Sequence, residues 1–324
     1  MVALHVLGEA TVPSALQTVF TIQPATTDLS IRLGFVVFLR GPLRAHAAAV
    51  DDLWLRLNDA LGTYRFTRYR LVGNPSWAAL PETRIEFAKL FAGPLVGHWG
   101  AEFTSRVDDS GAQPNALWLQ VSDAAPVRGM ERASHIRVLF PEDVSIGAVA
   151  ALGEWAITRV PLWWGSAGYL FHHTAGTMFT AHARIAALAK RYWAVQLLDM
   201  TTLQWEALRG MPTVNWLTLI GNEFASSKNV ALDDISTALS HEGVFHRKGP
   251  NGVAFAAGTG PVRGDINIGE NVQPYVNVAR RIEPLLLTDH PPLFGPFAKQ
   301  DVISAWLGRF RAPQRWLTSD ISAD

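Results

Sequence analysis

The sequence predicts an α+β fold, with a mainly antiparallel twisted sheet flanked by amphipathic helices. Three observations carry this expectation. Runs rich in β-branched and aromatic residues, such as IRLGFVVFL at Ile31–Leu39 and VNWLTLIGNEF at Val214–Phe224, have the composition of buried strands. Between such runs, apolar residues recur at alternating spacings of three and four, the mark of a one-faced helix. Several neighbouring strand candidates are joined by turns too short for a parallel crossover, which needs about a dozen residues. A length of 324 residues permits one large domain or two. No linker or low-complexity segment interrupts the chain, so a single compact α+β domain over 1–324 is expected, with 1–160 and 161–324 as its subdomains.

A short edge strand is expected around Val19–Ile22, and the first buried strand is Ile31–Leu39. Gly41-Pro42 breaks it, and proline suits the first turn of the helix that follows. Leu43, Ala47, Val50, Trp54, Leu57 and Leu61 form that helix's apolar face, and Gly62 ends it. Tyr64–Leu71 alternates arginine with apolar residues, as a half-exposed strand does, and Phe87–Leu95 is ambiguous between helix and strand. HWGAEFTSRV at His98–Val107 and ALWLQV at Ala116–Val121 form a hairpin candidate across the polar turn DDSGAQPN. HIRVLF, His135–Phe140, is another strand.

Pro141-Glu142-Asp143 is expected to open a helix, its acidic pair matching the positive N-terminal dipole, with Pro161 as the stop. Gly165–Phe171 reads as a strand and Met178–Tyr192 as a helix. This strand-then-helix order repeats that of Ile31–Leu61, the pattern an old duplication would leave. Val195–Leu198 is short and apolar, and Leu203–Leu208 is a helical turn. A helix is expected near Leu232–His241, with Asp233 and Asp234 in its first turn. Val244–His246 and Val253–Ala257 are strands around the KGPNG turn. Tyr275, Val278, Ala279, Ile282 and Leu286 face one way along a helix that Pro284 kinks or ends, and Val302, Ile303, Trp306 and Phe310 mark a closing helix.

Composition narrows the function. Hydrophobic content is 48% but charged content only 17%, so a core is assured and apolar surface is expected. Basic and acidic residues balance at 28 each, and no Lys/Arg run stands out, which argues against direct nucleic-acid binding. The absence of cysteine removes disulfides, thiolate nucleophiles and Cys-ligated zinc. No run approaches the roughly 20 apolar residues of a membrane span, and the N-terminal residues make a poor signal peptide. A cytoplasmic protein is therefore expected.

The motifs that invite a catalytic reading fail on spacing. Gly258, Gly260 and Gly264 give G-x-G-x-x-x-G rather than the dinucleotide fingerprint, and Pro261 lacks an N–H for a phosphate. His241 and His246 stand five residues apart, roughly 140° around a helix, unlike a zinc-protease pair on one face. His172 and His173 point to opposite sides of a strand. Ser166 lies in G-S-A-G, not in a nucleophile elbow. No catalytic residue, metal or cofactor is expected.

Three segments in the second half carry a family resemblance: VNWLTLIGNEF at Val214–Phe224, AGTGPVRGD at Ala257–Asp265 and NVQPYVNVARRIEPLL at Asn271–Leu286. In order and spacing, with RYWAVQLLDM upstream at Arg191–Met200, the chain resembles the type VI secretion immunity family that accompanies VRR-Nuc-type nuclease effectors. The resemblance spans Leu29–Trp316 and is specific at Asn215, Trp216, Gly221, Gly260, Pro261, Gly264, Asp265 and Tyr275.

It implies a non-catalytic cytoplasmic protein, monomeric or a small homo-oligomer, that binds and neutralises a cognate secreted toxin, a nuclease by the family's pairing. The signature residues read as structural: a buried Asn, a core Trp, and a turn closed by Asp265. Partner contacts are expected on loops and polar turns, with Asp108, Asp109, Trp163, Trp164, Asp233 and Asp234 as candidates. The neutral charge favours a mixed apolar and polar interface over DNA mimicry. Two alternatives remain: a metal-dependent or hydrolytic enzyme using His172, His173 and Asp265, and an oligomeric adaptor of the secretion locus, to which the low charge and 12 tryptophans point.

Overall fold

The computed structural model describes residues 29–321, except 61–63, 72–73, 75, 81–84, 93–97, 106, 109–110, 113–115 and 174–177. The edge strand expected around Val19–Ile22 lies outside these residues. The first half runs through β1 (Leu29–Arg40), a 3-10 turn at Leu43–His46, α1 (Ala47–Ala60), β2 (Arg68–Leu71), β3 (Ala78–Ala79), α2 (Phe87–Leu90), β4 (His98–Thr104), β5 (Val107–Asp108), β6 (Gly111–Ala112), β7 (Trp118–Ala124), β8 (Ala133–Leu139) and α3 (Ile146–Arg159). The second contains β9 (Leu162–His173), α4 (Met178–Arg191), β10 (Gln196–Leu197), α5 (Met200–Glu206), β11 (Leu217–Gly221), α6 (Asn222–Ser227) and α7 (Leu232–Ser240). It continues with β12 (Phe245–Gly249), β13 (Gly252–Ala256), α8 (Gln273–Arg281), α9 (Gln300–Leu307) and α10 (Pro313–Thr318).

Eleven strands form one sheet in the order β12-β13-β11-β9-β1-β8-β7-β4-β2-β3, with β10 added beside β9. The β10–β9 pairing is parallel and the others are antiparallel, as the short connections require. Strands β5 and β6 make a separate ribbon within the β4–β7 connection. The fold is α+β.

The centre of the sheet is the β1–β9 pair, which runs in register from Leu29 opposite His173 to Phe38 opposite Trp164. Here the first half's strands (β1, β8, β7, β4, β2, β3) meet the second half's (β9, β11, β13, β12). Both β1 and β9 lead into a helix, as the repeated sequence pattern indicates. The strand orders differ, however. In the first half, later strands step inward towards β1; in the second, β11 pairs with β9 and β13 lies between β11 and the outer β12. The likeness is local, and long-range pairing does not reproduce it.

Both faces of the central strands are covered, which explains why β1 reads as a continuous apolar run. On one face, α3 sets Trp155 edge-on to Phe35, with ring centroids 6.4 Å apart. On the same face, α1 brings Trp54 onto Phe66 at 4.5 Å and against Phe87 and Phe103. On the opposite face, Trp164 lies 4.3 Å from Phe38 and donates its indole N–H to the Ala207 carbonyl just beyond α5. Each buried indole is a large apolar load, and truncating one to alanine costs about 3–5 kcal/mol.

Three local expectations are corrected. The helix anticipated at Pro141-Glu142-Asp143 begins at Ile146, because the Ser145 Oγ accepts from the Ala148 N–H at 3.1 Å and caps it. Glu142 and Asp143 precede it in a turn. The strand expected over Tyr64–Leu71 shortens to Arg68–Leu71, where pairing with β4 begins. The ambiguous stretch Phe87–Leu95 contains a one-turn helix at Phe87–Leu90, whose first N–H is held by Asp51. Pro284 behaves as expected: α8 ends at Arg281, and a 3-10 turn at Glu283–Leu285 follows.

Candidate functional site

The signature residues converge on the junction between β11, the loop after β13, the C-terminus of α4 and α8. Asn215 is fully buried; its Oδ1 accepts from Trp216 N at 2.8 Å and its amide reaches the Tyr169 carbonyl on β9. Trp216, also buried, donates its indole N–H to the Gly258 carbonyl at 3.2 Å. Gly221 ends β11 opposite Gly252, where a Cβ would overlap the Leu162 carbonyl oxygen. Gly260 and Pro261 sit half-buried on the turn beside Ile146.

Gly264 has φ +68, and its carbonyl accepts from Trp193 N. Asp265 takes a two-pronged bond from Arg191 at 2.6–3.0 Å and caps the next turn through Asn267 N, while its own N–H donates to Glu270. Arg191 therefore holds the Asp265 carboxyl below the usual carboxylate range. Tyr275 is buried, and its hydroxyl accepts from Val262 N at 3.2 Å. All the side-chain groups of this set are turned inward on their own chain.

A second polar assembly lies on the sheet face opposite α3. The register places Arg70, Glu102, Gln120 and Arg137 side by side across β2, β4, β7 and β8. Arg70 pairs with Glu102 at 2.6 Å, Gln120 reaches Glu102 at 3.5 Å, and His135 lies 3.4 Å from Gln120. On the same face Trp118 has the Arg137 guanidinium 5.6 Å above its ring and His172 at 6.3 Å. Arg32 donates to the carbonyls of Phe140, at 3.0 Å, and Ala116. Burial pulls Arg137 down to about 10, and burial with the field of Arg137 pulls Arg32 down to about 9. His172 is held well below its ordinary value by burial and by Arg32, Arg137 and His173. Sequence reading missed Arg32, Arg137 and Trp118, because the three lie on three strands, 19 to 105 residues apart, and only pairing places them on one face. The usable signal was an arginine inside each of two strands whose other inner positions are mostly apolar.

The partner-contact candidates fare differently. Trp163 and Trp164 are corrected: they are 4% and 1% exposed, since consecutive residues of β9 point into two covered faces. Trp163 packs on Phe224 at 5.2 Å with Arg40 above it. Asp233 and Asp234 are exposed in the first turn of α7, and Asp233 accepts from Lys248 of β12 at 2.5 Å. They adjoin the edge of the sheet, since among the described residues β12 pairs with β13 alone. Asp108 belongs to β5, paired with Gly111 of β6, and Asp109 lies outside the described residues.

The residues proposed for an enzyme do not assemble. Asp265 is engaged by Arg191, His172 faces Trp118, and His173 lies 5.4 Å from His182. Among the described residues no group of three or more His, Asp or Glu is placed to hold a metal ion, and no helix is long and apolar enough to cross a membrane.

Comparison with known proteins bears on these features. The family model described as TsiV, type VI immunity for VRR-NUC, matches residues 123–310. That span runs from the end of β7 through α9, narrower than the Leu29–Trp316 suggested by sequence resemblance, and it contains every signature residue. No curated protein matches the sequence. Among solved structures the Pseudomonas aeruginosa T6SS protein PA0821 is similar, with a TM-score of 0.69 and 16% identity over 92% of this chain and 88% of that one. At that identity the likeness is one of fold.

Proposed function

The chain belongs to the family of type VI immunity proteins for VRR-NUC, and from that membership we propose that it binds and neutralises a cognate type VI secreted toxin of the VRR-Nuc nuclease class. The family match over 123–310 carries this reading. Neutralisation proceeds by binding, without catalysis: the acidic and imidazole groups that an enzyme would use are committed to contacts within the fold, Asp265 to Arg191 above all. The protein acts in the cytoplasm, where a nuclease meets its substrate, and works as a monomer or small homo-oligomer.

The exposed Asp233 and Asp234 beside the edge strand β12, together with Asp108 and Asp109, are the positions proposed for contact. Such a surface combines charge with apolar area, since Phe245 on β12 is 36% exposed. The test is co-expression with the toxin encoded beside it, followed by sizing chromatography with light scattering. Rescue of growth and a co-eluting complex are expected. Continued toxicity with no complex would reject the reading, and a large homo-oligomer without toxin binding would favour the adaptor.

A further inference from the structure

We propose that the polar face of the sheet between β7, β8, β1 and β9 is a binding site for a small oxyanion, a carboxylate or phosphate group, gripped by Arg137 and Arg32 with Trp118 and His172 as its walls. Four observations support it. First, Arg137 is 8% exposed, and among the described residues no hydrogen bond or ion pair engages its guanidinium; its Nε is sealed from solvent with no partner. Arg32, 6% exposed, bonds the Ala116 and Phe140 carbonyls through Nη2, and its Nε is sealed with no partner among the described residues. A buried charge is ordinarily paired or hydrogen-bonded, because desolvating it alone costs several kcal/mol.

Second, the carboxylates whose fields reach these arginines are engaged or turned elsewhere. Glu102 is held by Arg70 and Gln120, Asp199 caps α5 through Thr201 N and Thr202 Oγ1, and Glu142 lies exposed on the turn before α3. Third, both guanidiniums and the half-buried His172 share one field, since Arg32 and Arg137 each act on His172, and Arg137 acts on Arg32. An anion between them would relieve that repulsion. Fourth, the guanidinium fork matches two oxygens of a carboxylate or phosphate, which an ammonium does not.

The site goes beyond the immunity reading and is tested on the isolated protein, so its failure would leave that reading intact. Inorganic phosphate and succinate are titrated separately by calorimetry and by thermal unfolding, at ionic strength held constant with chloride. Saturable binding of at least one, with a rise in Tm that chloride does not reproduce, is expected. Phosphate binding more tightly identifies a phosphate site, and succinate binding more tightly a carboxylate site. Arg137→Gln and Arg137→Met, the second keeping apolar volume, are each expected to weaken binding at least tenfold, whereas Arg128→Gln on the exposed turn after β7 leaves it unchanged. No saturable binding to the wild type, or equal binding by a folded Arg137 variant, would overturn the proposal.

Discussion

Gly221 shows how much one missing side chain can matter. It terminates β11 with the Leu162 carbonyl of β9 pressed against its Cα, and any Cβ must displace backbone rather than a flexible tip. Gly221→Ala is expected to destabilise the protein by about 2–4 kcal/mol, seen as a fall in the urea midpoint with an unchanged slope. A second residue-scale prediction concerns His182, fully buried against Phe294 and Phe297. Its Nδ1 accepts from Phe294 N while its Nε2 has no partner among the described residues, and burial lowers it from 6.5 to about 4. The folded form thus resists a proton that the unfolded chain takes up below about 6.5. Its contribution is complete above that pH and is lost as pH falls from about 6.5 to about 4, by at most about 3 kcal/mol. Urea midpoints of His182→Gln should accordingly vary less across this window than those of the wild type. At this scale the sequence told which residues matter to the family but not why. Asn215 and Tyr275 are legible as special, yet their partners, the Tyr169 carbonyl and Val262 N, lie 46 and 13 residues away.

Among elements, the loop after β13 depends most on a single pair. Arg191, the last residue of α4, grips Asp265, which also caps the next turn and bridges back to Tyr192. The braced loop nevertheless exposes Ile266 and Ile268, at 42% and 74%. Asp265→Asn keeps a capping side chain and removes the charge; amide hydrogens over 264–269 are expected to exchange faster, with those of β11 unchanged, as mass spectrometry of exchanged peptides would report. Most elements could be read from periodicity: α1, α4, α7, α8 and the β4–β7 and β12–β13 hairpins fall where spacing and turn residues put them. The errors were at boundaries and in short pieces. The start of α3 was set by the Ser145 hydroxyl rather than by Glu142-Asp143, and α6 and α10, at 6 residues each, are too short to show a period.

For the whole molecule, the β1–β9 seam is the governing feature. Neither half can pair both edges of its central strand alone, because β1 finds its second hydrogen-bonding neighbour in β9 and β9 finds its other edge's partner in β1. The chain is therefore proposed to be one cooperative domain: urea unfolding followed by tryptophan fluorescence and by circular dichroism should give coincident single transitions, and two separated transitions would assign 1–160 and 161–324 to independent units. The sequence by itself determined the α+β class, the antiparallel bias and the family, because composition, period and motif spacing are local quantities. Tertiary structure alone decided strand order, the burial of Trp163 and Trp164, and the placing of Arg32, Arg137 and His172 on one face of the sheet. Those depend on which strands pair across separations of up to 144 residues, and a strand's own pattern states only that it has two covered faces, not what covers them.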